Sequence, residues 1–266
     1  MKTLKIIGLI SSLIIFSLLF TRMTTSETQN YVCVVYFTGI GCPHCAKTDP
    51  IVLSVLPEEN KKFVVIEYEI YQQRENAVLL PKYDEKYNTG LGVPLVIFNK
   101  NDHIIGDMPI LNQIRNKIDF YLSHGGNECP LLDGSVPFEN LEIDKLPGKP
   151  KIWIGNKILI KEDVVSNVTN KDLISVLTSE DVEETLKEKN ISFEKIQAFP
   201  APLSGSEVKF TDAVKLGNLI IEWGNVKNKI TGNSTSSINF YLGIGIAVLI
   251  ICIIVPVLFY IVKIIR

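Results

Sequence analysis

The stretch YVCVVYFTGIGCPHCAKTDP, residues 31–50, decides how the chain is read. Its first seven residues form a continuous apolar and β-branched run, the pattern of a buried strand. A glycine-rich turn follows at 39–41. Then comes a C-x-x-C made of Cys42, Pro43, His44 and Cys45. Residues 46–57 read as a helix with a kink at Pro50. Two cysteines at the start of a helix place sulfur where backbone N–H groups meet negative charge. Such motifs lower a thiol's pKa to about 3.5–7.5. Only the first cysteine presents a free sulfur to that end. Cys42 is therefore read as the nucleophile and Cys45 as the resolving thiol. Metal binding needs more ligands. There is no second C-x-x-C, and His103 and His124 stand apart, so no metal and no cofactor are expected.

Outward from the motif, residues 61–70 read as a second strand and 72–88 as a helix interrupted at Pro81. Residues 92–98, GVPLVIF, read as a third strand opened by Pro94, and 102–110 as a fourth. Residues 111–125 carry Leu111, Ile114, Ile118 and Leu122 at helical spacing, with Gly125 as the C-cap. The expected order is β-α-β-α-β-β-α.

These residues resemble the thioredoxin-fold thiol–disulfide oxidoreductases. The CPHC at 42–45 is similar to the active site of the DsbA-type oxidants. Pro50, five residues after Cys45, matches the helix-kinking proline of that family. Val93–Pro94 matches its cis-proline loop. The resemblance covers 31–125, about a third of the chain. It implies an α/β thioredoxin-like domain, a central mixed sheet flanked by helices. It also implies a reversible Cys42–Cys45 disulfide and a cis Pro94 lying against the cysteines. The backbone edge at Val93 would then bind extended client peptides by strand addition. Pro43 and His44 would tune the site, a donor imidazole beside Cys42 stabilising its thiolate and so the reduced form. The family carries a buried acid six residues before the first cysteine. Here that position is Tyr36, and Glu67 or Glu69 on the neighbouring strand are the candidates to replace it.

The whole chain sets the compartment. It has 266 residues, 46% of them hydrophobic, and a net charge of −2. No large basic patch is available, which excludes nucleic acid as the expected partner. Lys2 and Lys5 precede the apolar segment 6–20, so 1–26 reads as a signal peptide or an N-terminal anchor. Residues 238–262 are uncharged and long enough to span a bilayer. The tail 263–266 carries Lys263 and Arg266, which places it in the cytoplasm. The expected product is a cell-membrane protein with one span, or two if the first segment is retained, and a catalytic domain facing outside the cytoplasm. Disulfides persist there. Asn167, Asn190 and Asn233 begin glycosylation sequons.

Five cysteines cannot all pair within the chain. Cys33 reads most simply as a small buried hydrophobe. Cys129 is open to pairing with Cys33, to relaying electrons to the C-x-x-C, or to bonding a partner. Cys252 lies in the span. Residues 127–230 read as a small α+β domain, with a hairpin turning at Gly155–Asn156. A helix is expected at 178–190 with Thr178 or Ser179 as N-cap. Residues 231–237 are a polar linker.

The function expected is a membrane-anchored oxidoreductase that forms or exchanges disulfides in cysteine-containing clients and is reoxidised by a membrane redox partner. Two other readings stand beside it. One is a reductase or isomerase fed by a membrane electron carrier. The other is a non-enzymatic client-binding module of a membrane complex.

Overall fold

A computed structural model describes residues 30–161 and 168–224. The signal segment, linker, span, tail, Asn167, Asn233 and Cys252 lie outside the described residues. No helix among the described residues is long and apolar enough to cross a membrane.

The first half builds four strands, five α-helices and one π-helical segment. Strand β1 (Val32–Thr38) leads into α1 (Cys45–Asp49), a π-helical segment Pro50–Val55, and α2 (Leu56–Glu59). Pro50 has no N–H to give the α-helical ladder, and the widened segment begins at it. Strand β2 (Phe63–Glu69) runs parallel to β1. Helices α3 (Arg74–Ala77) and α4 (Leu79–Tyr87) follow. The break between them falls at Val78, not at Pro81 as expected. Pro81 sits in the first turn of α4, where the missing N–H would have had no intrahelical partner. Strands β3 (Leu95–Asn99) and β4 (Asp102–Ile105) form an antiparallel pair, with β3 antiparallel to β1. Helix α5 (Asp107–Ser123) starts four residues earlier than the periodicity predicts. The expected fourth strand stops at Ile105 because Gly106, at φ +91, turns the chain into the helix.

The second half prolongs the same sheet. Short strands β5 (Cys129–Leu131) and β6 (Gly134–Val136) pair with each other. Then β7 (Lys151–Ile154) and β8 (Lys157–Lys161) form the expected hairpin around Gly155–Asn156. Helices α6 (Asn170–Thr178) and α7 (Val182–Glu188) come next. The cap of α7 is Asp181, whose side chain accepts from the Glu184 N–H. Thr178 and Ser179 instead close α6, a helix the sequence reading did not anticipate. Strands β9 (Glu194–Ile196), β10 (Ala201–Leu203), β11 (Ser206–Val208), β12 (Asp212–Leu216) and β13 (Leu219–Trp223) complete the chain.

Nine strands form one mixed sheet in the order β4-β3-β1-β2-β7-β8-β13-β12-β9. The expectation of a boundary near residue 126 meets a continuous ladder instead. β2 is buried along its whole length, and β7 pairs with the edge that β1 leaves open. Alternate residues of the strands feed two apolar layers. Cys33, Val35 and Phe37 of β1 face α4, α6 and α7. Val32, Val34 and Tyr36 face the α1–α2 segment, α5 and the β10–β11 hairpin. An α/β fold with helices on both faces of a mixed sheet results.

Cys33 and Cys129 form a disulfide across 96 residues. Cys33 is thus a bonded half-cystine rather than a lone buried hydrophobe. Asn127 knits the same place. Its side-chain oxygen accepts from the Cys33 N–H, and its amide donates to the Cys33 and Phe98 carbonyls.

Candidate functional site: a dithiol backed by a buried carboxylate

β1 ends at Thr38, and the turn 39–41 delivers Cys42. The Cys42 N–H donates to the Gly39 carbonyl at 3.0 Å, which closes this turn. Gly39 is required by packing: a Cβ there would stand 2.7 Å from the Tyr71 ring. The loop holding Tyr71 is fixed by Glu69, whose carboxylate accepts from the N–H groups of Ile40, Tyr71, Gln72 and Gln73. Glu69 therefore builds the loop wall of the site and does not reach the thiols' proton.

Both Cys42 and Cys45 are thiols in this structure, and both are buried. The Cys45 N–H, first in α1, points at the Cys42 sulfur at 3.4 Å. Burial first, and then the hydrogen bond with Cys42, push the Cys45 thiol up to about 12. Pro43 and His44 are exposed. The His44 Nδ1 lies 3.2 Å from Asp107, at the start of α5, and the Lys47 amine lies 2.6 Å from the same carboxylate. These two partners, Lys47 first, hold Asp107 well below the usual carboxylate range.

The acid behind the dithiol is Asp49. Neither Glu67 nor Glu69 takes that place. Glu67 is occupied with the Trp153 N–H and Lys151. Asp49 is fully buried on α1, four residues after Cys45. One carboxylate oxygen accepts from Tyr36 at 2.7 Å and from Thr38 at 2.6 Å. The other accepts from the Ser204 N–H at 2.9 Å. Burial pushes its pKa up to about 6, against the pull of these donors, and nearby Glu67 adds to the rise. The Thr38 hydroxyl also eases ionisation of the Cys45 thiol, and the Asp49 charge opposes it. Thr38 and Asp49, bonded to each other, thus both bear on the acidity of the Cys45 thiol. Tyr36 is the donor that makes a buried carboxylate tolerable there. It occupies the position where the resemblance led one to expect an acid.

The Val93–Pro94 bond is cis. Phe37 pairs with Leu95, so one step further along the register lie Thr38 and Pro94, beside the cysteine turn. The Pro94 carbonyl accepts from the Gly106 N–H, and Val93 is half-buried ahead of the β3 ladder. The sequence did not single out Ser204, whose hydroxyl donates to the Cys42 carbonyl at 2.8 Å. Asn190 is exposed in a left-handed conformation after α7. Among the described residues, no group of three or more His, Cys, Asp or Glu side chains is placed to hold a metal.

Comparison of the chain with protein-family models, with curated proteins and with solved structures returns no match. The chemistry of the site itself is what bears on function.

Proposed function

We propose that the chain is a thiol–disulfide oxidoreductase of thioredoxin-like design, anchored in a membrane with its dithiol facing outside the cytoplasm. The observation that carries this reading is Asp49, buried in the helix of the dithiol four residues after Cys45 and held by donors from Tyr36, Thr38 and Ser204. A structural or metal-binding cysteine pair has no use for a buried carboxylate whose charge acts on one of its two thiols. A dithiol that cycles must take up and release the proton of its buried member.

In the oxidising direction, a client thiolate attacks the Cys42 sulfur of the Cys42–Cys45 disulfide. The client–Cys42 bond forms and the Cys42–Cys45 bond breaks. Cys45 leaves with the electron pair and takes a proton, which Asp49 supplies. A second client thiolate then attacks the client's own sulfur, forming the client disulfide and releasing Cys42. In reverse, Asp49 accepts the Cys45 proton while Cys45 attacks a client–Cys42 bond. Exposed Leu91, Ile105 and Met108 add apolar surface to the sheet end that carries Val93 and His44, which suits unfolded clients. A Cys33–Cys129 disulfide within the same chain agrees with an oxidising compartment.

The test is the equilibrium redox potential of the Cys42–Cys45 pair in the full chain. A value near or above about −180 mV makes the protein an oxidant, and one near or below about −250 mV makes it an electron donor. Loss of both thiols without any loss of exchange activity would refute the reading altogether.

A further inference from the structure

The hairpin β10–β11 lies outside the main sheet, yet its turn reaches the dithiol. Ala201, Leu203 and Val208 bury their side chains in the same layer as Val52, Leu53 and Leu56 of the helix that follows the cysteines. At the tip, Gly205 adopts φ +74, and a Cβ there would stand 3.1 Å from the Ala46 Cβ. The close approach serves the residue before it. Ser204 is buried and makes two bonds into the site, its hydroxyl to the Cys42 carbonyl and its N–H to Asp49. Three donors reach Asp49, two from β1 and the third from a hairpin 155 residues away.

We propose that Ser204 is a positioning residue of the dithiol site: its N–H, delivered by the hairpin, holds Asp49 as the carboxylate that accepts the Cys45 proton. The proposal rests on the oxidoreductase reading for its consequence, but not for its geometry. The groups facing Asp49 are Tyr36 and Thr38 from β1, Cys45 and Thr48 from its own helix, Glu67 from β2, and Ser204. Glu67 disfavours charge on Asp49, and its own neighbour Lys151 offsets part of that. Of these groups, Ser204 alone comes from the second half of the chain. A peptide N–H donates in every protonation state, whereas the Tyr36 and Thr38 hydroxyls can turn to other acceptors. Ser204 is thus the one donor whose bond favours the carboxylate at every stage of the cycle.

The first test is a pH titration of the reduced full chain labelled with nitrogen-15 serine. The Ser204 amide signal is assigned by its loss in Ser204→Ala. It is expected to shift with a midpoint near that of Asp49, about 6, and to stop titrating in Asp49→Asn. An amide that stays still between pH 4 and pH 8 overturns the proposal, even if thiol exchange proceeds. The second test follows resolution. Dithiobis-nitrobenzoate loads Cys42 with a thionitrobenzoate, and Cys45 then expels it as the Cys42–Cys45 bond forms. The rate should rise with pH through the Asp49 midpoint. Ser204→Pro removes the N–H and should move that midpoint up by about one pH unit. Ser204→Ala keeps the N–H and should keep the midpoint. Equal midpoints in the two variants would overturn the proposal. Should Ser204→Pro fail to fold, the amide titration decides. Failure of the oxidoreductase reading looks different: Cys42→Ser would then exchange client disulfides as well as the parent chain does.

Discussion

Strand β1 serves two cysteine pairs, one near its start and one just past its end, in opposite surroundings. Cys33 bonds Cys129 inside an apolar layer and is fastened by Asn127. No carboxylate among the described hydrogen bonds reaches that pair. Cys42 and Cys45 lie in a loop–helix turn with an N–H on the Cys42 sulfur and a buried acid whose charge acts on Cys45. All four sulfurs are buried. Burial therefore does not separate the staple from the proposed redox pair; a carboxylate at hand does.

Substituting each pair in turn breaks this comparison most directly. Cys42→Ser is expected to lower disulfide exchange about a thousandfold or more. Cys45→Ser should accumulate mixed disulfides on Cys42, visible as client adducts on non-reducing gels. The double variant Cys33→Ala with Cys129→Ala should retain exchange once folded. Its cost is stability: releasing a crosslink across 96 residues removes about 4 kcal/mol, read from the denaturant midpoint. Loss of exchange in a folded double variant would mean that the two pairs share electrons, and the contrast would fail.

Asp49 sharpens the same contrast. Asp49→Asn should slow resolution by Cys45 about a hundredfold and erase the inflection near pH 6. The acid also leaves a mark on stability. Its pKa is raised in the folded chain, from 3.8 to about 6. The folded state therefore holds more protons than the unfolded state between those values. Stability falls as pH rises through that window, by about 3 kcal/mol from this group. Unfolding curves at pH 4 and pH 7 measure it, and Asp49→Asn should flatten the difference. Buried Glu222 is raised by burial too and acts in the same direction, so the slope should shrink without vanishing.

What the sequence disclosed follows from range. Cys42, Cys45 and Pro94 were legible because a strand, a turn and a proline are local signals. The order of the first elements was legible for the same reason. Asp49 was hidden by a familiar expectation, that the acid sits on β1 where this chain has Tyr36. Yet a signal existed: an acid four residues after Cys45 shares its helix face. Asp107 reaches His44 across 63 positions and Ser204 reaches Asp49 across 155, and no local pattern marks either. The extension of the sheet through β7 was equally non-local. The hairpin at Gly155–Asn156 was legible, but which edge it would join was not.

The smallest expected effect concerns His44, Lys47 and Asp107, at the exposed rim of the proposed redox pair. Asp107 neutralises part of the positive charge that Lys47 brings to the dithiol helix, and it contacts His44 as well. Asp107→Asn keeps the side-chain shape and removes that compensation. The uncompensated Lys47 cation favours negative charge on the reduced dithiol, so the potential should rise. Both partners are more than half exposed, and salt screens such pairs. The rise should stay within about 30 mV, a tenfold change in the exchange constant, and should fade toward about 1 M salt. A fall in potential would carry a different lesson. It would mean that Asp107 acts by holding the His44 ring in place rather than by its charge. The tuning of the pair would then lie in geometry, as it does for Asp49, and the rim and the interior of the site would work by one rule.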